Sequence, residues 1–293
     1  MSGTSTGYGI VVGVDGSPES EAAVRWAADE AVTRHAQITL MHIIAPVVVT
    51  WPVRYLQSSY TEWQEGNAKY VIEQAQKTLR AVIGDNPPLT VQPEVRHDSV
   101  VPGLVKASRE ADMVVVGCRG LGPVGGALLG STSRGLVHHG RCPVVVTHAD
   151  GLRVPDRALP VLLGIDGSPA SEGATALAFD EASRRGVDLI ALHAWSDVGV
   201  FPVLGADWHE YEQEGHELLA ERLAGWQEQY PDVHVWRRIV CDRPARWLID
   251  EAKKAQLVVL GSRGRGGFTD MLLGSVSTAV AESARPPVIV VRD

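Results

Sequence analysis

Short apolar runs alternate along the chain with longer stretches in which apolar residues recur at helical spacing. Ile10–Val14 is a run rich in β-branched residues, which is typical of a buried parallel strand. Ser17 and Pro18 follow it and favour a helix N-cap and first turn, and the alanines beyond them lie on one helical face. Repeated strand–helix alternation predicts an α/β fold, with parallel sheets covered by helices on both faces.

The predicted elements form two series in the same order. The first series has strands at Ile10–Val14, Ile38–Ile44, Thr90–Val95, Met113–Val116 and Val144–Thr147, and helices starting at Pro18 and spanning Glu62–Ile83, Val100–Arg109 and Ser131–His139. The second has strands at Val161–Ile165, Leu189–His193, Val233–Val240, Leu257–Leu260 and Val288–Val291, and helices at Ala170–Arg185, Trp208–Tyr230, Pro244–Lys253 and Val276–Ala284.

The two series are copies of one ancestral sequence. Gly13-Val-Asp-Gly-Ser-Pro18 recurs as Gly164-Ile-Asp-Gly-Ser-Pro169, and residues 112–147 match residues 256–291 at 15 of 36 positions without a gap. A repeat of this length is a whole domain. We therefore predict two tandem domains, 1–150 and 158–293, joined by a polar linker at about 151–157 that contains Gly and Pro.

Charge and cysteine usage narrow the class of protein. The net charge is −8, which argues against nucleic-acid and anionic-membrane partners because those partners demand a basic surface. The apolar runs are too short to span a bilayer, and the N-terminus lacks the pattern of a signal peptide. Three widely spaced cysteines without a CxxC pair favour a reducing cytoplasm.

The candidate chemistry lies where strands end. Asp15 and Asp166 directly follow the first strand of each copy, and the fourth strands open into glycine-rich loops, Gly117–Ser131 and Gly261–Ser275. Ligands of open α/β sheets bind beyond the carboxyl ends of the strands. Each loop also runs into a helix N-terminus, where unpaired N–H groups and the helix dipole favour phosphate.

These features predict a nucleotide site in each copy. In the first copy the predicted residues are Gly13, Asp15, Gly117, Arg119, Gly120, Gly122, Gly130, Ser131 and Ser133. In the second they are Gly164, Asp166, Gly261, Arg263, Gly264, Arg265, Gly266, Gly274, Ser275 and Ser277. The loops are not Walker A motifs, because no lysine precedes Ser131 or Ser275, and the first strands do not lead into a GxGxxG fingerprint.

Several features allow two interpretations. Asp15 and Asp166 either contact a ligand or cap the following turn, and their place at a strand end favours the ligand. His138, His139 and Cys142 suggest a metal, but adjacent histidines on a helix diverge, which favours a role at the helix end. Cys118 is either a redox switch or a packed thiol, and packing is favoured. The apolar segments 45–60 and 196–207 either cover a ligand, form an interface or fold back locally.

The glycine spacing carries a family resemblance. Gly, two residues, Gly, nine residues, then Gly-Ser occurs at Gly117, Gly120, Gly130 and Ser131, and again at Gly261, Gly264, Gly274 and Ser275. Over nearly its whole length the chain resembles the tandem, ATP-binding form of the universal stress protein family found in actinobacteria. The resemblance implies Rossmann-like sheets of the adenine nucleotide α-hydrolase type, in the order 3-2-1-4-5. It also implies ATP, with Mg²⁺, lying with its adenosine towards the aspartate and its phosphates on the glycine loop.

The resemblance implies an ATP-dependent regulator of stress or growth and not an enzyme. Two alternatives remain: a slow ATPase, although no clear base or Walker B pairing accompanies the arginines, and a scaffold that binds no nucleotide. We expect a homodimer and, as the target of a regulator, a further protein partner of unknown identity. The final strands would form apolar sheet edges, which are usually paired or covered. Asp270 in the second loop predicts that the two sites are unequal.

Overall fold

The computed structural model describes residues 7–46, 57–84, 89–120, 129–149, 156–168, 171–194, 208–263 and 274–292, with the backbone alone at 57–59 and 208–212. Contacts divide the chain into two compact units, a first unit at Met1–Ala149 and a second unit at Asp150–Asp293. None of the described helices combines the length and the apolar character needed to cross a membrane.

The first unit alternates strands and helices. Its elements are β1 (Gly9–Gly13), α1 (Pro18–Arg34), β2 (Ile38–Ile44), α2 (Gln57–Ile83), β3 (Val91–His97), α3 (Val100–Ala107), β4 (Ala111–Gly117), α4 (Ser131–His139) and β5 (Val144–Thr147). The strands pair in parallel in the order β3-β2-β1-β4-β5. Strand order therefore reverses between β1 and β4, which places the expected ligand crevice beyond the ends of these two strands.

The second unit repeats the arrangement. Its elements are β6 (Val161–Gly164), α5 (Glu172–Arg185), β7 (Leu189–Ala194), α6 (Trp208–Gln229), β8 (Val235–Val240), α7 (Pro244–Ala252), β9 (Leu257–Gly261), α8 (Ser275–Ser283) and β10 (Val288–Val291). Its order is β8-β7-β6-β9-β10, again parallel, so each unit has the predicted order 3-2-1-4-5.

The central strands are apolar on both faces because helices cover both faces. Ile10, Val11 and Val12 of β1 and Val114 and Val115 of β4 are fully buried. Burial of this kind removes roughly 1.5–3 kcal/mol of unfavourable hydration per large side chain. The sheet is therefore the rigid part of each unit, and the residues at its carboxyl edge are held in fixed positions.

Each first helix also contains a buried ion pair. Glu30 of α1 is fully buried and pairs with Arg34, and Glu181 of α5 is fully buried and pairs with Arg185 at 2.9 Å. Removing one partner of such a pair leaves an uncompensated buried charge, which costs several kcal/mol. The repetition of this pair in both copies marks it as part of the fold.

Some predicted boundaries were wrong. Helix α2 begins at Gln57 and not at Glu62, because the polar residues before Glu62 carry no apolar period that would reveal the first turn. Strand β8 begins at Val235 and not at Val233, since the Val233 N–H is used in a turn with the carbonyl of Tyr230. Most of the apolar segment 45–60, all of the segment 196–207 and nearly all of the predicted linker lie outside the described residues.

Candidate functional site

A cavity of about 780 Å³ lies at the carboxyl edge of the first unit's sheet. Residues at the ends of β1, β2 and β4 form its base, and residues of α3 and α4 form its walls. Its volume falls in the range of small-molecule and cofactor sites, and its position is the switch point of the strand order.

The cavity collects the predicted residues of the first copy. Gly13, Asp15, Gly117, Arg119, Gly120, Gly130, Ser131 and Ser133 all line it. Gly122 lies outside the described residues, as do Gly264, Arg265 and Gly266 of the second copy. Residues separated by more than one hundred positions in the sequence therefore meet in one cleft, as the end-of-strand argument requires.

Close approach explains the glycines at the end of β4. A Cβ atom at Gly117 would lie 2.6 Å from the Cβ of Glu19 and 2.7 Å from its carbonyl carbon, so the loop packs directly on the backbone of α1. A Cβ atom at Gly120 would lie 2.4 Å from Asp15 Oδ2. Neither glycine has a positive φ, so what these positions require is the absence of a side chain.

The N-terminus of α4 faces the cavity without a side-chain cap. Gly130 is the N-cap residue and offers no side chain, whereas Ser17 caps α1 by accepting the N–H of Ser20 at 3.1 Å. The N–H groups of Ser131, Thr132 and Ser133 have no intrahelical acceptor, because the first intrahelical bond runs from Arg134 to Gly130. These donors and the helix dipole make this end of the cleft favourable for an anion.

Ser133, one of the predicted site residues, uses its hydroxyl within the protein. Ser133 is buried, and its hydroxyl donates to the carbonyl of Cys118 at 2.8 Å, with the carbonyl of Gly130 3.1 Å away. The N–H of Gly130 also donates to the Cys118 carbonyl, at 2.7 Å. The hydroxyl thus closes the base of the glycine loop, and Ser133 can offer a ligand only its backbone N–H.

Asp15 performs the turn-capping role and also faces the loop. Its Oδ1 accepts the N–H of Ser17 at 2.9 Å, which fixes the turn between β1 and α1. Its Oδ2 faces Gly120 across the cleft. The two interpretations of this residue are therefore compatible, because the turn holds the carboxylate at the boundary between the strand ends and the loop.

The positive charge of the cleft is partly balanced. Arg119 is half exposed, and its guanidinium lies 3.6 Å from the carboxylate of Glu19. A pair at this distance and exposure is weak and can rearrange when a stronger anion arrives. Burial raises the pKa of the adjacent Cys118 thiol although Arg119 opposes the shift, so the thiol stays protonated near neutral pH. This supports the interpretation of Cys118 as a packed residue.

Sequence reasoning missed His42 as part of the site. Its Nδ1 lies 2.7 Å from the carbonyl of Val14 and donates to it, so the ring is oriented against the strand end that carries Asp15. His193 makes the same contact with Ile165 at 2.8 Å. The sequence does carry a signal for this residue, since a histidine interrupts the second apolar strand at the same position in both copies.

Helix α4 adds further polar residues to the lining: Thr132, Arg134, His138 and His139. Among the described residues, no group of histidines, cysteines and carboxylates is arranged to hold a metal ion. His138 and His139 lie in the last turn of α4, in agreement with the helix-end interpretation.

The second unit places its described candidates at the equivalent strand ends. Asp166 accepts both the N–H and the hydroxyl of Ser168, at 2.9 and 2.7 Å. Gly164 and Gly261 end the neighbouring strands β6 and β9. Helix α8 begins at Ser275, and its N-cap residue Gly274 provides no side-chain cap. The exposed Arg263 follows β9 at the start of the loop.

The two loops close differently. Ser277 donates to the carbonyl of Gly261 at 2.6 Å. Its counterpart Ser133 donates to the carbonyl of Cys118, which is one residue beyond Gly117, the counterpart of Gly261. Ser262 replaces Cys118 and is buried, and its hydroxyl finds no hydrogen-bond partner among the described residues. An unsatisfied buried hydroxyl costs about 1–3 kcal/mol, so this position is less well adapted than its counterpart.

Comparison with known proteins identifies the family of the chain. The profile of the universal stress protein family matches residues 9–148 and 159–292. A universal stress protein of Mycolicibacterium smegmatis is 61% identical over 289 residues, covering 99% of this chain and 98% of the relative. A universal stress protein of Mycobacterium tuberculosis is 52% identical over 286 residues, covering 97% of each chain.

Solved structures share the fold. A universal stress protein from Archaeoglobus fulgidus superposes with a TM-score of 0.71 at 21% identity, covering 97% of this chain and 98% of its own. A second structure, described as that of a putative universal stress protein from Pseudomonas aeruginosa, has a TM-score of 0.57 at 15% identity and covers 97% of this chain and 92% of its own. The two family matches, the near full-length relatives and the repeated glycine loops lead to one conclusion: the chain belongs to the universal stress protein family.

Proposed function

We propose that the first unit binds ATP in the cleft at its carboxyl edge. The observation that carries this proposal is the uncapped N-terminus of α4 facing the same cavity as Arg119 and the closely packed Gly117 and Gly120. Backbone N–H groups, a helix dipole and a guanidinium together provide what a phosphate chain requires. The missing side chains at the glycines let the phosphates approach the backbone.

The other end of the cleft suits a nucleoside. Val14, Met41, Ile43 and Leu104 provide apolar surface there, and Asp15 and His42 provide polar groups. Cofactor sites combine an apolar lining with a few fixed polar groups in this way. The proposal therefore directs the adenosine towards Asp15 and the phosphates towards Ser131.

We extend the proposal to the second unit, at lower affinity. Gly274 and Ser275 repeat the uncapped helix start, and Gly261 repeats the loop origin. At the positions of Arg134 and His138, however, the second copy has Thr278 and Glu282, and its loop carries Asp270. The second copy gains Arg265 in place of Leu121 where it loses Arg134, so only the added acidic groups weaken the attraction for a triphosphate.

Magnesium would accompany ATP as a counter-ion of the phosphates. Among the described residues no cluster of protein ligands could hold a metal alone, and Mg²⁺ usually keeps several waters and binds nucleotide phosphates directly. The ion would reduce the charge of the triphosphate within the cleft. Ser131 offers a hydroxyl close to that position.

The described part of the cleft favours a protein that binds ATP as a regulator over an enzyme that hydrolyses it rapidly. Hydrolysis needs a water-positioning base beside the γ-phosphate. In the described part of the cleft, Asp15 is engaged at the turn to Ser17 and lies at the proposed adenosine end. We propose that nucleotide occupancy changes the affinity of the chain for a protein partner in the cytoplasm, with the chain acting as a homodimer. A slow ATPase would release phosphate in proportion to bound ATP, which a single-turnover assay detects.

A series of shortened nucleotides tests the phosphate site. We expect affinity to fall from ATP to ADP to AMP, with adenosine weaker than ATP by about 100-fold, because each lost charge-assisted hydrogen bond costs about 1.5–3 kcal/mol. Isothermal titration with Mg²⁺ present measures this. Salt should weaken ATP binding and leave adenosine binding nearly unchanged. Adenosine binding as tightly as ATP would show that the α4 end of the cleft does not hold phosphate.

A further inference from the structure

A second cavity, of about 900 Å³, lies at the opposite edge of the second unit's sheet. It is formed by the residues before β6, the end of α5, the first residues of β7 and β8, and Glu251 of α7. Asp166 follows β6 and Gly261 ends β9, so both lie at the carboxyl edge of this sheet. This cavity is therefore separate from the proposed nucleotide site of that unit.

Its lining is basic in an acidic protein. Among the described residues, four arginines (Arg157, Arg185, Arg237 and Arg238) and two carboxylates (Asp188 and Glu251) line it, although the whole chain has a net charge of −8. The buried Glu181 already neutralises Arg185, and Lys254 lies 3.7 Å from Glu251. Positive charge remains concentrated along the outer strand β8.

An aromatic ring is fixed beside these arginines. Trp236 is 57% exposed, and its indole N–H donates to the Asp188 carboxylate at 2.8 Å. His234 packs against the ring edge-on, with centroids 4.7 Å apart. The Arg237 guanidinium is likewise held by the side-chain oxygen of Gln227 at 3.1 Å. A flat apolar surface and one oriented guanidinium, that of Arg237, are thus prepared before any ligand binds.

The first unit shows that the fold does not require this cluster. In the parallel registers Ile38 lies opposite Val91 and Leu189 lies opposite Val235, so the two strands align residue by residue. Trp236, Arg237 and Arg238 then correspond to Gln92, Pro93 and Glu94, and Asp188 corresponds to Gln37. Only the buried pair of Arg185 and Glu181 has its equivalent, in Arg34 and Glu30.

Helix ends do not account for the arginines either. Two of the last carbonyls of α5 already have donors, since the N–H of Gly186 donates to Ser183 and that of Val187 donates to Ala182, both at 3.0 Å. The carbonyl of Glu251 at the end of α7 similarly accepts the N–H of Lys254 at 2.9 Å. These three carbonyls therefore need no guanidinium as a C-terminal cap.

We propose that this cavity is a binding site for a small aromatic anion, a flat ring that carries a phosphate or carboxylate group. The ring would stack on Trp236, and the anionic group would be held by Arg157 and by Arg238, which lies on the same face of β8 as Trp236. Arginine pairs both groups through two parallel hydrogen bonds, and the volume suits a small molecule. This inference does not depend on whether the first unit binds ATP.

Fluorine NMR of protein labelled with 5-fluorotryptophan tests the proposal. The chain has eight tryptophans, so the Trp236→Phe variant is needed to assign the Trp236 resonance. Phenyl phosphate and phthalate serve as the phosphate and carboxylate probes. We expect a saturable shift of the Trp236 resonance, with the stronger response identifying the anionic group.

Two charge-reversal variants test whether the probes bind in this cavity. Arg238→Glu introduces the residue that the first unit has at this position and should weaken binding about tenfold. Arg222→Glu, on the exposed face of α6 and outside the cavity, makes the same change in net charge and should weaken it by less than about twofold. The proposal fails if neither probe shifts the Trp236 resonance, or if both reversals weaken binding equally.

Discussion

Gly117→Ala is expected to abolish ATP binding by the first unit and to lower that unit's stability by about 1–3 kcal/mol. The new Cβ would lie 2.6–2.7 Å from backbone and Cβ atoms of Glu19, in the first turn of α1. The end of β4 would have to shift, and the adjacent Cys118 carbonyl would move with it. That carbonyl accepts from both Gly130 and Ser133, so the start of α4 would lose its position.

Hydrogen exchange read by mass spectrometry measures both effects in the first unit alone. Peptides from β1 and β4 report stability, and a peptide covering residues 129–139 reports protection by ATP. Gly66→Ala is the matched control, because Gly66 is a helical glycine with open space around it. That change should leave ATP protection intact and raise stability by up to about 1 kcal/mol. Intact ATP protection in Gly117→Ala would contradict the close-packing argument.

Arg119→Ala is expected to weaken ATP binding about tenfold at low salt, with a smaller effect at high salt. Arg119 is the cleft's half-exposed cation beside the glycine loop, and its pair with Glu19, at 3.6 Å, is weak. A phosphate in the cleft would be the stronger partner. Because the side chain is exposed, screening keeps the effect below that of a buried pair.

Titration calorimetry with ATP and Mg²⁺ measures this change. Arg25→Ala is the control, since Arg25 is equally exposed, lies on α1 and pairs with Glu21 away from the cleft. Glu19→Gln should bind ATP as tightly as the parent or more tightly, because it removes the carboxylate that competes for Arg119. An unchanged affinity in Arg119→Ala would remove this residue from the site.

The strand ends, the glycine spacing and the strand order implied by the family resemblance together predicted the cleft from the sequence. Asp15 and Gly117 are distant in sequence, but each follows an apolar run that could only be a buried strand. Parallel strands bring their carboxyl ends to one edge, so the two residues had to meet once the strand order was known. The order itself came from the family resemblance, since local patterns do not specify which strands pair.

Tertiary contacts decided what the sequence could not. The glycines were predicted for their access to an anion, whereas in the structure they also avoid contact with Glu19 and Asp15. Ser133 was predicted to face the ligand, but the helix turn directs its hydroxyl to the Cys118 carbonyl. His42 reads in sequence as an irregularity of an apolar strand, and only its contact with Val14 gives it a place in the cleft.

Because the two units arose by duplication, comparing them separates shared features from features that only one unit has. Features present in both copies, such as the buried Glu–Arg pair and the uncapped helix after the glycine loop, belong to the shared fold or to a shared site. Features present in one copy, such as Arg134 in the first and Trp236 with Arg238 in the second, indicate divergence after duplication. The two units therefore need not bind the same ligand with the same strength.

Nucleotide released from freshly purified protein, identified and quantified per chain by mass spectrometry, is the direct test of ATP binding. We expect ATP to fill the first unit, and to fill the second unit to the same or a lower extent. Occupancy of one unit that disappears in Gly117→Ala would assign the tight site to the first unit. The absence of any adenine nucleotide, together with no binding when ATP and Mg²⁺ are added, would contradict the account and favour a scaffold that binds no nucleotide.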